Sequence, residues 1–215
     1  MDIKYDEVID FSPLKSLINE RGVKVKWLAE KSGQLPNRVS QMMKNNVFPK
    51  TDVIAKFASI LNVPASQVVA FKGIEAAPQK KVWFDSHTLP YQPEGDITGE
   101  LTYEPLRLMM NMYLDYLYEQ TDKEKTVNDL FDLIEPYRRR NGLVLMDDKK
   151  RQAAMIARGY GPDYKSARTD RKYHAKGLTP ETRTKLKFDR PLNIRTIYDI
   201  CNFFGCSIDW VMSYK

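Results

Sequence analysis

"GQLPNRVSQMMKNN", residues Gly33 to Asn46, is the stretch on which the reading of this chain turns. A glycine stops one helix and Pro36 opens the next, because proline suits the first helical turn. In the helix that follows, Val39, Met42 and Met43 fall on one side, and Asn37, Arg38, Ser40, Gln41 and Lys44 on the other. A helix that reads DNA needs such a division, with an apolar side docked on its own domain and short polar or long basic groups facing base edges. Gln and Asn suit adenine edges, Arg suits guanine, and Ser suits a base or a phosphate. Free N–H groups at the helix start suit a phosphate. Any short amphipathic helix on a bundle carries the same pattern, so its neighbours decide what it means.

Working outward, the first 73 residues read as a set of short helices. "DFSPLKSLINERG" has Ser12 as the cap, Pro13 in the first turn and Gly22 as the stop, with Leu14, Leu17 and Ile18 on one face. "KVKWLAEKSG" is a second helix, burying Trp27 or Leu28 with Ala29. After the Pro36 helix, "TDVIAKFASILN" is capped by Thr51 or Asp52 and carries the stripe Val53, Ile54, Phe57, Ile60, Leu61. A short helix at "PASQVVAF" ends the set. Residues 74–101 are rich in proline and glycine turns and read as a linker with one short extended piece at "KVWF". Residues 102–215 are a second helical region, opening with the Met- and Tyr-rich "TYEPLRLMMNMYLDYLYEQ", whose apolar positions wrap much of the helix and predict burial.

The end of the chain repeats the beginning. "GLTPETRTKLKFDRPLNIRTIYDICNFFGCSIDWVM" lies on "GQLPNRVSQMMKNNVFPKTDVIAKFASILNVPASQVV" with one residue removed from the loop. Gly177 meets Gly33, Pro180 meets Pro36, Leu186 meets Met42, Ile197 meets Ile54 and Val211 meets Val68. "YEPLRLM" from Tyr103 echoes "FSPLKSL" from Phe11. A repeat this long outweighs any single residue as evidence of architecture.

Composition sets the outer bounds. The 215 residues are 42% hydrophobic and 29% charged, as expected of a soluble globular protein. The acidic start "MDIKYDEVIDF" is unlike a signal peptide, no apolar run is long enough for a membrane span, and no cofactor is implied. Two cysteines, Cys201 and Cys206, make no disulfide framework or zinc pattern, which points to a reducing cytoplasm. The net charge of +6 is unevenly placed. Residues 1–73 hold 11 Lys/Arg against 7 Asp/Glu, residues 74–124 hold 4 against 10, and residues 125–215 hold 19 against 11. Two basic ends around an acidic middle predict two polyanion-binding surfaces.

The order "Leu28-Ala29 … Gly33 … Val39-Ser40 … Pro49 … Ile54 … Phe57-Ala58 … Leu61-Asn62-Val63" resembles the lambda-repressor-like helix-turn-helix family, the Cro/repressor or xenobiotic-response-element type. The resemblance covers about residues 11–71. It implies an all-α chain: a five-helix DNA-binding domain over residues 1–73, an acidic linker over 74–101, and a helical domain over 102–215 with a second, divergent helix-turn-helix. It implies that Val25–Ser32 crosses the DNA backbone and that Pro36–Lys44 enters the groove, with Asn37, Arg38, Ser40, Gln41 and Lys44 reading bases. The family's phosphate-binding Gln is replaced here by Val25, which moves that role to Lys24 and Lys26, joined by Pro36 and Asn46. The glycine usual after the third helix is Asn45, a residue that tolerates the left-handed conformation.

The second copy looks like a branch of the same family found in Gram-positive bacteria and their mobile elements, with cysteines where Cys201 and Cys206 stand. The equivalent DNA site would comprise Thr179, Glu181, Thr182, Thr184, Lys185 and Lys187. Arg183 departs from the pattern, standing where a buried Leu or Ile is usual; either the helix is rotated or Arg183 snorkels. Two assignments of its leading helices are open. One takes "TVNDLFDLIEPYRRRNG" and "DDKKRQAAMIARG", the more helix-two-like of the candidates. The other takes the Tyr103 helix and "SARTDRKYHAKG". In both, Lys165, Arg168, Arg171, Lys172 and Lys176 form a basic segment with interleaved aromatics, suited to phosphates or a minor groove.

The resulting expectation is a sequence-specific, double-stranded-DNA-binding transcriptional regulator, a repressor of a phage or mobile element, acting as a homodimer or a tandem pseudo-dimer. The alternative is a protein-interaction or antitoxin-like module. A nucleic-acid enzyme ranks lower, because no carboxylate cluster or nucleophile motif is present.

Overall fold

The computed structural model describes residues 5–74, 83–84, 86–89, 91–93, 97–134 and 177–215. These residues are mainly helical, and they arrange as two units built from equivalent elements.

The first unit runs through α1 (Tyr5–Val8), β1 (Ile9–Asp10), α2 (Ser12–Glu20), α3 (Val25–Ser32), α4 (Pro36–Met42) and α5 (Thr51–Leu61), then a 3-10 turn at Ala65–Gln67 and β2 (Ala70–Phe71). Gly33 stops α3 and Asn62 stops α5, both in the left-handed conformation, with φ of 68° and 49°. The apolar stripes predict the buried faces. Leu14, Leu17 and Ile18 are buried on α2, Leu28 and Ala29 on α3, and Ile54, Phe57 and Leu61 on α5. Each fully buried Leu, Ile or Phe among them contributes about 1.5–3 kcal/mol relative to exposure.

Three local readings are corrected. Phe11, not Ser12, holds the cap position of α2, and the Ser12 hydroxyl instead donates to Asp10 Oδ2 at 2.9 Å. Lys50 precedes α5, so Thr51 lies inside the helix, completely buried. Its hydroxyl is 2.7 Å from the Tyr103 hydroxyl and accepts the Leu192 N–H at 3.0 Å. The last helix is only the 3-10 turn, because the chain straightens to pair β2 antiparallel with β1, Ile9 opposite Phe71.

The second unit comprises β3 (Leu101–Thr102), α6 (Glu104–Thr121), α7 (Val127–Leu133), α8 (Pro180–Lys187) and α9 (Ile194–Phe204), a 3-10 turn at Ile208–Trp210 and β4 (Ser213–Tyr214). β3 pairs antiparallel with β4 as β1 does with β2. Neither assignment of its leading helices holds. The first is the Tyr103 helix, α6, and the second is the "VNDLFDL" helix, α7. In the first unit the Gln34 N–H closes the turn after α3 on the Ala29 carbonyl at 2.8 Å, and the Leu178 N–H does the same on the Phe131 carbonyl of α7 at 3.0 Å. Leu28 and Leu130 are buried at matching places. "QAAMIARG" belongs to residues 135–176, which lie outside the described residues, as does the basic segment Lys165–Lys176.

Gly177 shows how tightly that turn closes. Its φ is 78°, and a Cβ there would stand 2.1 Å from the Phe131 carbonyl oxygen and 2.5 Å from Asp132 Cα. Only glycine lets the chain re-enter against the α7 backbone.

The buried side chains of the two units form one continuous cluster. Trp83 and Phe84, expected in an extended piece of linker, form a helical turn sunk into that cluster. Phe84 packs edge-on to Trp210 with ring centres 5.1 Å apart, and Trp83 edge-on to Tyr113 at 5.3 Å.

Candidate nucleic-acid interface

The face of α4 is set by what it buries. Val39 and Met42 are completely buried against the unit, and Met43 is half-buried. That leaves the side chains of Asn37, Arg38 and Lys44 exposed, with no side-chain hydrogen bond or ion pair among the described residues. Gln41 is half-buried, and its Oε1 accepts the Asn46 amide at 2.8 Å, so its own amide N–H groups remain to donate. The Ser40 hydroxyl donates to the Pro36 carbonyl at 3.0 Å, which leaves its lone pairs to accept. Pro36 and Asn46, at the two ends, are both exposed. Lys24 and Lys26 are exposed at the start of α3; Lys26 lies 3.9 Å from Glu30, a loose surface pair.

Two exposed apolar groups stand beside this face. Trp27 on α3 is 42% exposed, and Leu35, in the cap position of α4, is 73% exposed. The repeat alone marked neither. Leucine at a helix cap is the available signal, since it satisfies no N–H.

The exit of α4 is fixed by Asn45. Its φ of 59° is left-handed, and its Oδ1 accepts the Phe11 N–H at 2.9 Å, tying the end of α4 to the start of α2. A glycine there would supply the turn without that bond. Asp189 does the same in the second unit, with φ of 51° and Oδ1 accepting the Tyr103 N–H at 2.8 Å. Around it stand Arg107, at 2.9 Å, and Lys215, at 3.1 Å. Burial alone would raise the Asp189 carboxyl pKa, but the bonds from Arg107, Tyr103 N–H and Lys215 outweigh it and hold the group below the usual carboxylate range. Asp10 is likewise lowered, its burial outweighed by Lys72, which lies 2.7 Å away, and by Ser12 and Asn45.

The equivalent face of α8 is differently built. Thr179 caps the helix, accepting the Thr182 N–H at 3.3 Å, and the two hydroxyls lie 3.0 Å apart. Glu181 pairs with Lys185 at 2.8 Å, and the Thr184 hydroxyl donates to the Pro180 carbonyl at 2.9 Å. Lys187 is exposed and lies 5.5 Å from the centre of the Phe188 ring. Arg183, at the place of buried Val39, snorkels without the helix rotating, and Leu186 stays buried. Its guanidinium sits over the Phe131 ring, donates to the Leu178 carbonyl at 2.9 Å and pairs with Asp132. Arg183 thereby locks α8 onto α7 and is a packing group.

Among the described residues no three His, Cys, Asp or Glu side chains gather closely enough to hold a metal ion, and no helix is long and apolar enough to cross a membrane. Cys201 and Cys206 are free and buried, and burial pushes the Cys201 thiol well up. The chain matches no protein-family model, no curated protein and no solved structure.

Proposed function

We propose that the chain is a sequence-specific double-stranded-DNA-binding regulator with a lambda-repressor-like helix-turn-helix in its first unit, acting as a repressor in the cytoplasm. One observation carries the reading: α4 presents Asn37, Arg38 and Lys44 to solvent, unpaired among the described residues, on a helix whose opposite side is fully docked through Val39 and Met42. A helix so held keeps a fixed reading face, which is what discrimination between bases requires. Gln41, with amide donors free, and Arg38 read base edges. Lys24, just before α3, and Lys26 on it hold phosphates and set affinity for any duplex.

The test is binding of the full chain to a duplex selected from a random pool, compared with unrelated duplex. Gln41→Ala is expected to lose about 1–3 kcal/mol of discrimination with little change on unrelated duplex. Lys24→Ala weakens both alike and lowers the salt slope by about one. Equal losses on both duplexes for Gln41→Ala would sink the base-reading role.

A further inference from the structure

The two units meet through their own equivalent residues. Lys50 and Asn193, which the repeat aligns, form an antiparallel bridge. On either side of it the Thr51 N–H donates to the Leu192 carbonyl at 2.9 Å and the Ile194 N–H to the Pro49 carbonyl at 3.4 Å, again aligned pairs bonded reciprocally. Ser66 and Asp209 are aligned too, and the Ser66 N–H donates to Asp209 Oδ1 at 3.0 Å. A residue that meets its own counterpart marks an approximate twofold axis, the symmetry of an isologous dimer. The packing is also exchanged: α5 lies on the β3–β4 pair, and Tyr198 of α9 packs edge-on to Phe71 of β2 at 5.5 Å.

We infer that a single chain fills a single, asymmetric duplex site, its two units acting as a built-in dimer in which α4 reads bases and α8 holds the backbone of the adjoining half-site. The inference rests on the duplex-DNA reading above. Duplex DNA carries local twofold axes perpendicular to its length, so two readers related by a twofold face two half-sites, as paired helix-turn-helix subunits do. A head-to-tail repeat would lose that match.

The two readers are unequal. Asn37, Arg38 and Gln41 are replaced by Glu181, Thr182 and Lys185. The replacements are tied to one another or to Thr179, whereas Asn37 and Arg38 have no partner among the described residues. Lys24 and Lys26 become Thr126 and Asn128 at the start of α7. A reader whose polar groups are mutually satisfied offers little to base edges, and its exposed Lys187 is left for phosphate.

The experiment selects bound sequences from a random duplex pool with the full chain, then weighs the complex on the winning duplex by native mass spectrometry and maps its footprint. The expected result is a motif strong in one half and weak in the other, one chain per duplex, and protection across two adjoining major grooves. Lys187→Ala then weakens the selected and unrelated duplexes by the same factor, whereas Gln41→Ala cuts the preference for the selected duplex at least about fivefold. A palindromic motif carrying two chains overturns the inference and leaves the DNA reading standing. One chain protecting a single groove overturns it too, as does loss of discrimination in Lys187→Ala. A pool from which nothing is retained overturns the DNA reading itself.

Discussion

Leu35 places a large apolar side chain in solvent at the one position of α4 where a hydroxyl or amide would satisfy the first-turn N–H groups. Thr179, its counterpart, does satisfy one. Leu35→Thr is therefore expected to stabilise the fold by about 0.5–1 kcal/mol, seen as a rise in Tm or in the urea midpoint. Gly177 and Gly33 make a second matched pair. Both are left-handed, but a Cβ at Gly33 meets nothing within 4 Å, whereas at Gly177 it strikes the α7 backbone. Gly33→Ala is expected to cost about 1–2 kcal/mol for the conformation alone. Gly177→Ala costs more, because the α7–α8 turn must open, and the difference between the two in denaturant unfolding reports the clash. The repeat aligns these glycines but says nothing of this difference, which comes from how close the preceding helix runs.

At the scale of elements, the ends of α4 and α8 are held by a side chain that reaches back to the start of α2 and of α6 respectively. Asn45 does this as an amide and Asp189 as a carboxylate, and only the second titrates. Because its folded pKa lies below the ordinary value of about 3.9, the unfolded chain binds more protons through that interval, and stability rises with pH there. The contribution is whole above about pH 4 and is lost as pH falls through the folded value. Asp189→Asn keeps the bond to the Tyr103 N–H but removes the charge, so it should flatten part of the acid limb in urea unfolding below about pH 5. Asp10, also lowered, supplies another part, and the limb should not vanish. Asp209 works the other way: burial raises its carboxyl pKa, so its share of stability declines as pH rises past the ordinary carboxylate value. Helix positions in the first unit were legible from stops and stripes, with α3 and α4 starting at Val25 and Pro36 as expected. The leading helices of the second unit were not. The 42 residues from 135 to 176 separate α7 from its turn at Gly177, so the contiguous "QAAMIARG" looked the better second helix.

Across the whole molecule, Thr51 shows where periodicity stops being informative. The sequence offers it, with Asp52, as a helix cap, yet it is the buried link between Tyr103 and Leu192 in the other unit. A polar residue at a helix start looks the same in sequence whether it bonds its own helix or another part of the chain. For the same reason Trp83 and Phe84 read as an extended piece of linker while lying in the core, because what buries them is Tyr113, Phe204 and Trp210, far along the chain. The candidate reading face was the most legible part, since it depends only on which side of one helix is apolar.

The Ser66–Asp209 contact has a consequence for dosage. Two aspartates facing each other across a symmetric junction would repel, and two serines would lack the carboxylate, so the complementary pair needs two different residues on one chain. A junction held within one chain does not come apart on dilution, unlike a homodimer whose subunits separate. Occupancy of a target would then follow the amount of protein in simple proportion when scarce, without the steeper fall that dissociating subunits impose. Cells carrying few copies would see a graded response, and those carrying many would see saturation.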